Sequence, residues 1–208
     1  MTAWFPLIIN TGSSQIQELP SGQDLDLTGS NISAVTNVTA SGTITVNSGN
    51  ATVAISNGGA NAVGNIGSST KYFNTVFATA STALYADLAE KYLADADYEP
   101  GTVLSFGGSA EVTVSTTDAD SMVAGVVSTQ PAYQMNSGLS GDHVVSLALV
   151  GRVPCKVQGA IRRGAMLVSA GNGRAREQAK PEIGTVIGKA LESFDGDKGV
   201  IEVVVGRL

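Results

Sequence analysis

Three observations predict a mainly β protein, slender in its first part and compact in its last, interrupted by one helix. Short runs of β-branched and apolar residues alternate with Gly, Asn and Ser turns along most of the 208 residues. Only 5% of the residues are aromatic and 14% charged, whereas 25 are Gly. So little core volume per residue favours an extended object, held by strand pairing or by neighbouring chains, over a deep enzyme pocket. One stretch, Asn65 to Thr102, instead carries the period of a helix face.

Residues 1–30 are the candidate attachment segment. Trp4, Phe5, Leu7, Ile8 and Ile9 form an apolar cluster, and Ile16 and Leu19 follow a Gly-Ser-Ser turn. Such a cluster either packs into its own fold or inserts into a partner. The single Trp, a residue favoured at interface anchors, points to docking.

Residues 31–70 continue a strand–turn–strand pattern that begins at Leu25. Val35 and Val38 precede Ser41-Gly42, Thr43-Ile44-Thr45-Val46 alternates, and Thr52-Val53-Ala54-Ile55 runs into Asn57-Gly58-Gly59. A strand that buries about 100 Å² of apolar surface gains about 2.5 kcal/mol. Ordering its backbone costs about 1–2 kcal/mol per residue. Intertwining with other chains closes that gap, so a repetitive β shaft is expected. Disorder is the competing reading, because the tract is polar and of low complexity. The first eighty residues carry only Glu18, Asp24, Asp26 and Lys71 as charges.

Residues 71–94 are the expected helical neck. Phe77, Ala80, Leu84, Leu88 and Tyr92 recur at steps of three or four, and alanines at 78, 80, 83, 86 and 89 favour a helix. A helix of this length is marginal alone in water. Its narrow stripe of small and apolar residues suits packing on copies of itself. The alternative is an amphipathic helix that covers one β domain in a monomer.

Residues 95–208 predict a compact β sandwich or barrel, the tip domain. Val103–Phe106 and Glu111–Val114 flank Gly107-Gly108 as a hairpin. Val123–Val127, Val144–Val150, Val153–Val157, Met166–Val168, Thr185–Ala190 and Val200–Val205 add strands punctuated by glycines. The loop Gln134–Asp142, with Met135, Asn136 and Leu139, is a candidate contact surface.

A formal charge of −6 disfavours nucleic acid and anionic membranes as partners. The opening MTAWFPLIIN has no basic region, and its apolar run is too short for a signal or a span. A soluble protein made in a cytoplasm, with no membrane insertion, is therefore expected. Cys155 is the only cysteine, so no intrachain disulfide can form.

Signs of catalysis are few. His143 is the sole histidine, which rules out a His-rich metal site within one chain. Cys155 lies in a strand-like setting where a thiol behaves as a small hydrophobe, and nothing nearby in sequence supports a Cys155/His143 dyad. Asp87, Glu90, Asp95, Asp97 and Glu99 form the densest acidic patch. Paired carboxylates suit glycoside hydrolysis, but the aromatic platforms of a sugar groove are scarce. Asp118, Asp120 and Asp142 lack EF-hand spacing. Asn31, Asn37 and Asn50 open formal glycosylation triplets. Nucleotide-binding, zinc-ribbon and nucleophile-elbow signatures are absent. The expectation is a non-enzymatic protein without cofactor or metal.

The run Asn65-Ile66-Gly67-Ser68-Ser69, then Phe73-Asn74-Thr75-Val76-Phe77-Ala78, then Tyr85-Ala86-Asp87-Leu88-Ala89-Glu90-Lys91-Tyr92, resembles a junction in bacteriophage tail-fibre and baseplate-appendage proteins. It is most similar to those of contractile-tailed phages, including ones that infect cyanobacteria. Gly125-Val126-Val127-Ser128-Thr129-Gln130-Pro131-Ala132-Tyr133 is similar to the β domain that follows that junction. The resemblance implies an elongated homotrimeric fibre of the virion, assembled in the host cytoplasm. Its N-terminus would dock on other tail or baseplate proteins and its tip would face a host surface receptor. The C-terminal region is also similar to self-cleaving chaperone domains of phage appendages, whose catalytic residues match no particular positions here. A baseplate connector without host contact is a further alternative. Asn/Gly/Ala-rich Ser56–Gly64 is faintly similar to trimeric autotransporter adhesins, which need a secretion signal and an anchor that are not expected here.

Overall fold

A computed structural model describes residues 37–46, 55, 65–68, 70–78 and 82–206, together with the backbone of 7–10 and 15–18. Among the described residues there are strands and no helix. The chain divides into two compact units, residues 1–74 and 75–208.

In the first unit, β1 (Leu7–Asn10) and β2 (Gln15–Glu18) form an antiparallel hairpin with Ile9 opposite Ile16. The hairpin accounts for the backbone of Leu7, Ile8, Ile9 and Ile16; Trp4, Phe5 and Leu19 lie outside the described residues. The expected shaft strand Thr43–Val46 is not a strand in this chain. Ile44 and Val46 stand exposed there. Alternation supplies a strand's two faces but not the neighbouring backbone that its N–H and C=O groups need. The expected strand at 25–27 lies outside the described residues. So do Val35 and all of Thr52–Ile55 except Ile55.

The second unit is organised around one long strand. Strand β3 spans Asp87–Leu93, β4 Val103–Phe106, β5 Val112–Val114, β6 Val123–Val127, β7 Tyr133–Met135 and β8 Val144–Gln158. Then come β9 (Met166–Ser169), β10 (Ala175–Glu177), β11 (Val186–Ala190) and β12 (Lys198–Val205). The first half of β8 pairs antiparallel with β3 and β6, and its second half with β12. Successive pairing β8–β12–β11–β9–β10 returns to β8 through the parallel partners Ala175 and Val157. Five strands thus close a small barrel, which leaves no open edge on that ring.

Two cores share the same strands. Val153, Cys155, Val157, Leu167, Ile187, Ile201 and Val203 fill the barrel with Val103, Val126 and Ala148. Leu104, Val127 and Leu147, each adjacent in sequence to one of those three, join Ala94, Val112 and Val145 in a second cluster. Successive side chains point to opposite faces of a strand, so β4, β6 and the first half of β8 bury residues on both.

The helical neck is corrected. No described residue of 71–94 is helical, and Leu88 and Tyr92 lie in β3. A step of four residues fits a strand as well as a helix, because four is a multiple of two. The choice was made by the waiting edge of β8, which pairs from Asp87 with Gly151 to Leu93 with Val144, and by β7 on the other side. Leu84 and Phe77 are bare, and Ala80 lies outside the described residues.

The two expected strands 144–150 and 153–157 are one. Gly151 does not end the strand; it lets another segment approach. Its φ is +118°, and a Cβ there would lie 2.2 Å from the Ala86 carbonyl oxygen. Pro154 is tolerated because that edge of β8 meets isolated backbone groups rather than a full ladder. Arg152 N–H donates to Ala86 O, Lys156 N–H donates to Gly101 O, and no donor is needed between them.

Candidate functional site

Bare apolar side chains occur throughout the described residues, Val38, Ile44, Ile55, Val150 and Val200 among them, and two groups of them fall together. The first is the run Ile66 to Tyr85. Ile66, Tyr72 (79% exposed), Phe73, Val76 (78%), Phe77 (95%) and Leu84 stand largely in water, with Tyr85 about half exposed. Four of the eleven aromatic residues of the chain (five Phe, five Tyr, one Trp) lie between 72 and 85. A turn presents them. Gly67 has a φ of +81°, Ser68 and Lys71 exchange backbone hydrogen bonds, and Ser68 Oγ accepts from Lys71 N–H at 3.0 Å.

The second place is a groove of about 400 Å³ on the barrel unit. Phe106, Met122, Ala124, Leu149, Ile183 and Val186 are among the residues that line it. Phe106 is held by an edge-to-face contact with Tyr92 at 5.9 Å between ring centroids, and its N–H donates to Met122 O. Ile183 is wholly exposed (102%) in the turn Glu182–Thr185, closed by hydrogen bonds from Thr185 N–H and Oγ1 to Glu182 O. None of these groove residues was singled out from the sequence. The one available signal was an isoleucine inside the Pro-Glu-Ile-Gly turn, where water-facing residues are usual.

Elsewhere the polar groups serve the fold. Asp120 is buried beneath the turn before β6. Ser105 Oγ donates to its Oδ2 at 2.5 Å, Ser115 Oγ donates to the same oxygen at 3.2 Å, and Met122 N–H reaches Oδ1 at 2.9 Å. Ser115 Oγ is 2.7 Å from Ser169 Oγ, which accepts from Gly171 N–H. Burial opposes the charge on Asp120, but these donors outweigh it and hold its pKa below the usual carboxylate value. With every Asp120 oxygen engaged by β4, the β5 end and its own turn, the network is a strut, not a calcium site.

Cys155 is wholly buried in the barrel, and burial pushes its thiol up to about 12. His143 is instead paired with Asp97, Nδ1 to Oδ1 at 2.8 Å, so no Cys155/His143 dyad exists. The acidic residues after β3 are dispersed among partners. Tyr98 donates to Asp95 at 2.5 Å, and Lys156 pairs with Glu99 at 2.8 Å. Each partner lowers the pKa of its carboxylate. Asp118 is gripped by Arg176 at 2.5 and 2.6 Å, and Glu177 by Arg162. Among the described residues, no group of three or more His, Cys, Asp or Glu is placed to hold a metal ion. No helix among them is long and apolar enough to cross a membrane.

The contact loop Gln134–Asp142 is more constrained than expected. Gln134 belongs to β7 and accepts from Ser146 Oγ at 2.6 Å; Asn136 Nδ2 donates to Lys91 O; Lys91 Nζ donates to Ser137 O. Only Met135, at the end of β7, presents an appreciable apolar surface there.

No protein-family model matches this sequence, and no curated protein matches it. Among solved structures it is similar to the head fiber gp8.5 N base in bacteriophage phi29, at 14% identity and a TM-score of 0.36. That alignment covers 58% of this chain and 94% of the other.

Proposed function

We propose that this protein is a structural subunit of a phage virion: a homotrimeric tail fibre attached to the baseplate, acting in host recognition and without enzymatic activity. One observation carries the self-association. The segment Ile66–Tyr85 holds exposed aromatic and aliphatic side chains in close succession, and exposed apolar patches mark contact sites. Aromatic side chains bury about 150–250 Å² each. Tyr72, Phe73, Phe77 and Tyr85 are exposed to 79%, 63%, 95% and 47%, so together they bring on the order of 400–700 Å² per chain, somewhat less than one side of a specific interface.

The resemblance of the Asn65–Tyr92 junction supplies the rest of the reading. Residues 1–30 dock on tail or baseplate proteins, and the barrel unit forms the tip that meets a host surface receptor. Mechanism is then geometry. Contacts too weak to hold a cell singly become avid when three tips act from one axis, because the second and third bind at high effective concentration.

Light scattering on the purified protein tests the association directly. A native mass near three chains is expected; a monomer at micromolar concentration overturns the reading. Saturable binding of the trimer to host cells tests its adsorption role.

A further inference from the structure

We infer that residues 116–122 form an acid-released strap: they cross the turn between β9 and β10, and open when the carboxylates of Asp118 and Asp120 are protonated. The inference does not depend on the self-association proposed above.

The strap joins β5 to β6. Asp118 lies in bridge register with Ala170, and Ala119 N–H donates to Ser169 O at 2.8 Å. Gly171 has a φ of +74°, and a Cβ there would lie 2.9 Å from Thr116 O, so the two backbones touch. Yet most of the strap faces water. Thr116, Thr117, Asp118, Ser121 and Met122 are exposed, and Asp120 alone of the strap is buried. A segment with so few buried apolar contacts opens locally before the whole unit does. Ala119 has a φ of +48°, in the left-handed region that is unfavourable for a residue with a Cβ, so the closed strap is also strained.

Two carboxylates supply the hold that packing does not. Arg176 of β10 grips Asp118 through Nε and Nη2, at 2.5 and 2.6 Å. Asp120 is the peg on the inner side. It accepts from Ser105 Oγ, Ser115 Oγ and Met122 N–H, and Ser115 continues the contact to Ser169 of β9. These donors to Asp120 are all uncharged. The charged groups around Asp118 are Arg176 and the adjacent Glu177, which Arg162 holds. Hydrogen bonds from Arg176 keep Asp118 below the ordinary carboxylate value, against a smaller effect of burial. For Asp120 burial is the largest single influence and raises the value, but its donors together bring it below the ordinary one. Both anchors are therefore complete above the unfolded value, about pH 4, and are lost as pH falls through the folded values. A protonated Asp120 would also place an O–H among three converging donors. Opening uncovers Gly171 and Gly173, both buried, and withdraws Met122 from the groove.

Hydrogen exchange of the full-length protein, read by mass spectrometry, tests the strap against β8 and β12. In Asp118→Asn/Asp120→Asn at neutral pH, strap amides should exchange within about tenfold of an unstructured peptide, while β8 and β12 stay protected. In the parent, the same selective loss should appear below about pH 4, once the intrinsic pH dependence of exchange is allowed for. Arg176→Met leaves Asp120 in place and decides the matter if the double variant does not fold. Its strap should exchange several-fold faster than the parent's at neutral pH. Loss of protection in strap and barrel together overturns the inference, because the carboxylates would then stabilise the unit as a whole. A strap as protected in a folded variant as in the parent overturns it too.

Discussion

At the scale of single residues, buried polar groups in this protein are settled by their neighbours. Asp120 is the clearest. Its folded pKa is depressed, so the stability it contributes is fully present above the unfolded carboxylate value, about 3.9. That contribution is lost as pH falls through the folded value. Melting temperature should therefore drop as the protein is acidified below about pH 4. The variant Asp120→Asn should lose about 1–3 kcal/mol at neutral pH and show a shallower acid dependence. Calorimetry over a pH series checks both; an acid dependence identical to that of the parent would remove Asp120 from the account. Asp95, Glu99, Asp118 and Glu177 have depressed values too, so the acid loss shrinks without vanishing. Asp87 is the counter-example. It is buried at the start of β3, and its Oδ2 has no hydrogen-bond partner among the described residues.

At the scale of elements, β8 decides the unit. It contributes to the barrel and to the second core. Its passage from one to the other, near Gly151, requires the close approach of Ala86 and Asp87. Gly151→Ala would add both a strained φ and a contact with backbone that cannot move aside. A loss of about 2–5 kcal/mol is expected, measured by denaturant titration. A loss under 1 kcal/mol would mean that the β3–β8 junction relaxes freely. The same element shows where sequence patterns lead astray. Leu84, Leu88 and Tyr92 at steps of four suit a helix or a strand, and only the long free edge of β8 breaks the tie. Likewise, Tyr133–Met135 and Ala175–Glu177 are three-residue strands with no pattern of their own. They exist because β3, β8 and β9 leave backbone groups for them to pair with.

At the scale of the whole molecule, the question is what covers Ile66–Tyr85. If the proposed trimer forms through this segment, replacing Phe73 and Phe77 together by Ser should give a monomer by light scattering. The melting temperature of the barrel unit should stay within a few degrees, because neither side chain joins its core. If these aromatics instead pack on their own chain, the double variant would melt earlier with its mass unchanged. The two quantities are separable, so one preparation distinguishes the cases.

The sequence by itself determined the class of the protein and most of the C-terminal strands. The hairpin at Gly107-Gly108, the runs Val123–Val127 and Val200–Val205, and the inertness of Cys155 were all legible, because β-branched runs and glycine turns are local signals. It also grouped Phe77 and Leu84 as apolar residues of one helix face, and the structure leaves both exposed without a helix. Tertiary structure alone decided that β3 is a strand, that β8 runs unbroken through Gly151, that five strands close a ring, and that Phe106, Met122 and Ile183 share a groove. Each of those depends on which backbone edge or side chain arrives from far along the chain, and no local period records that arrival.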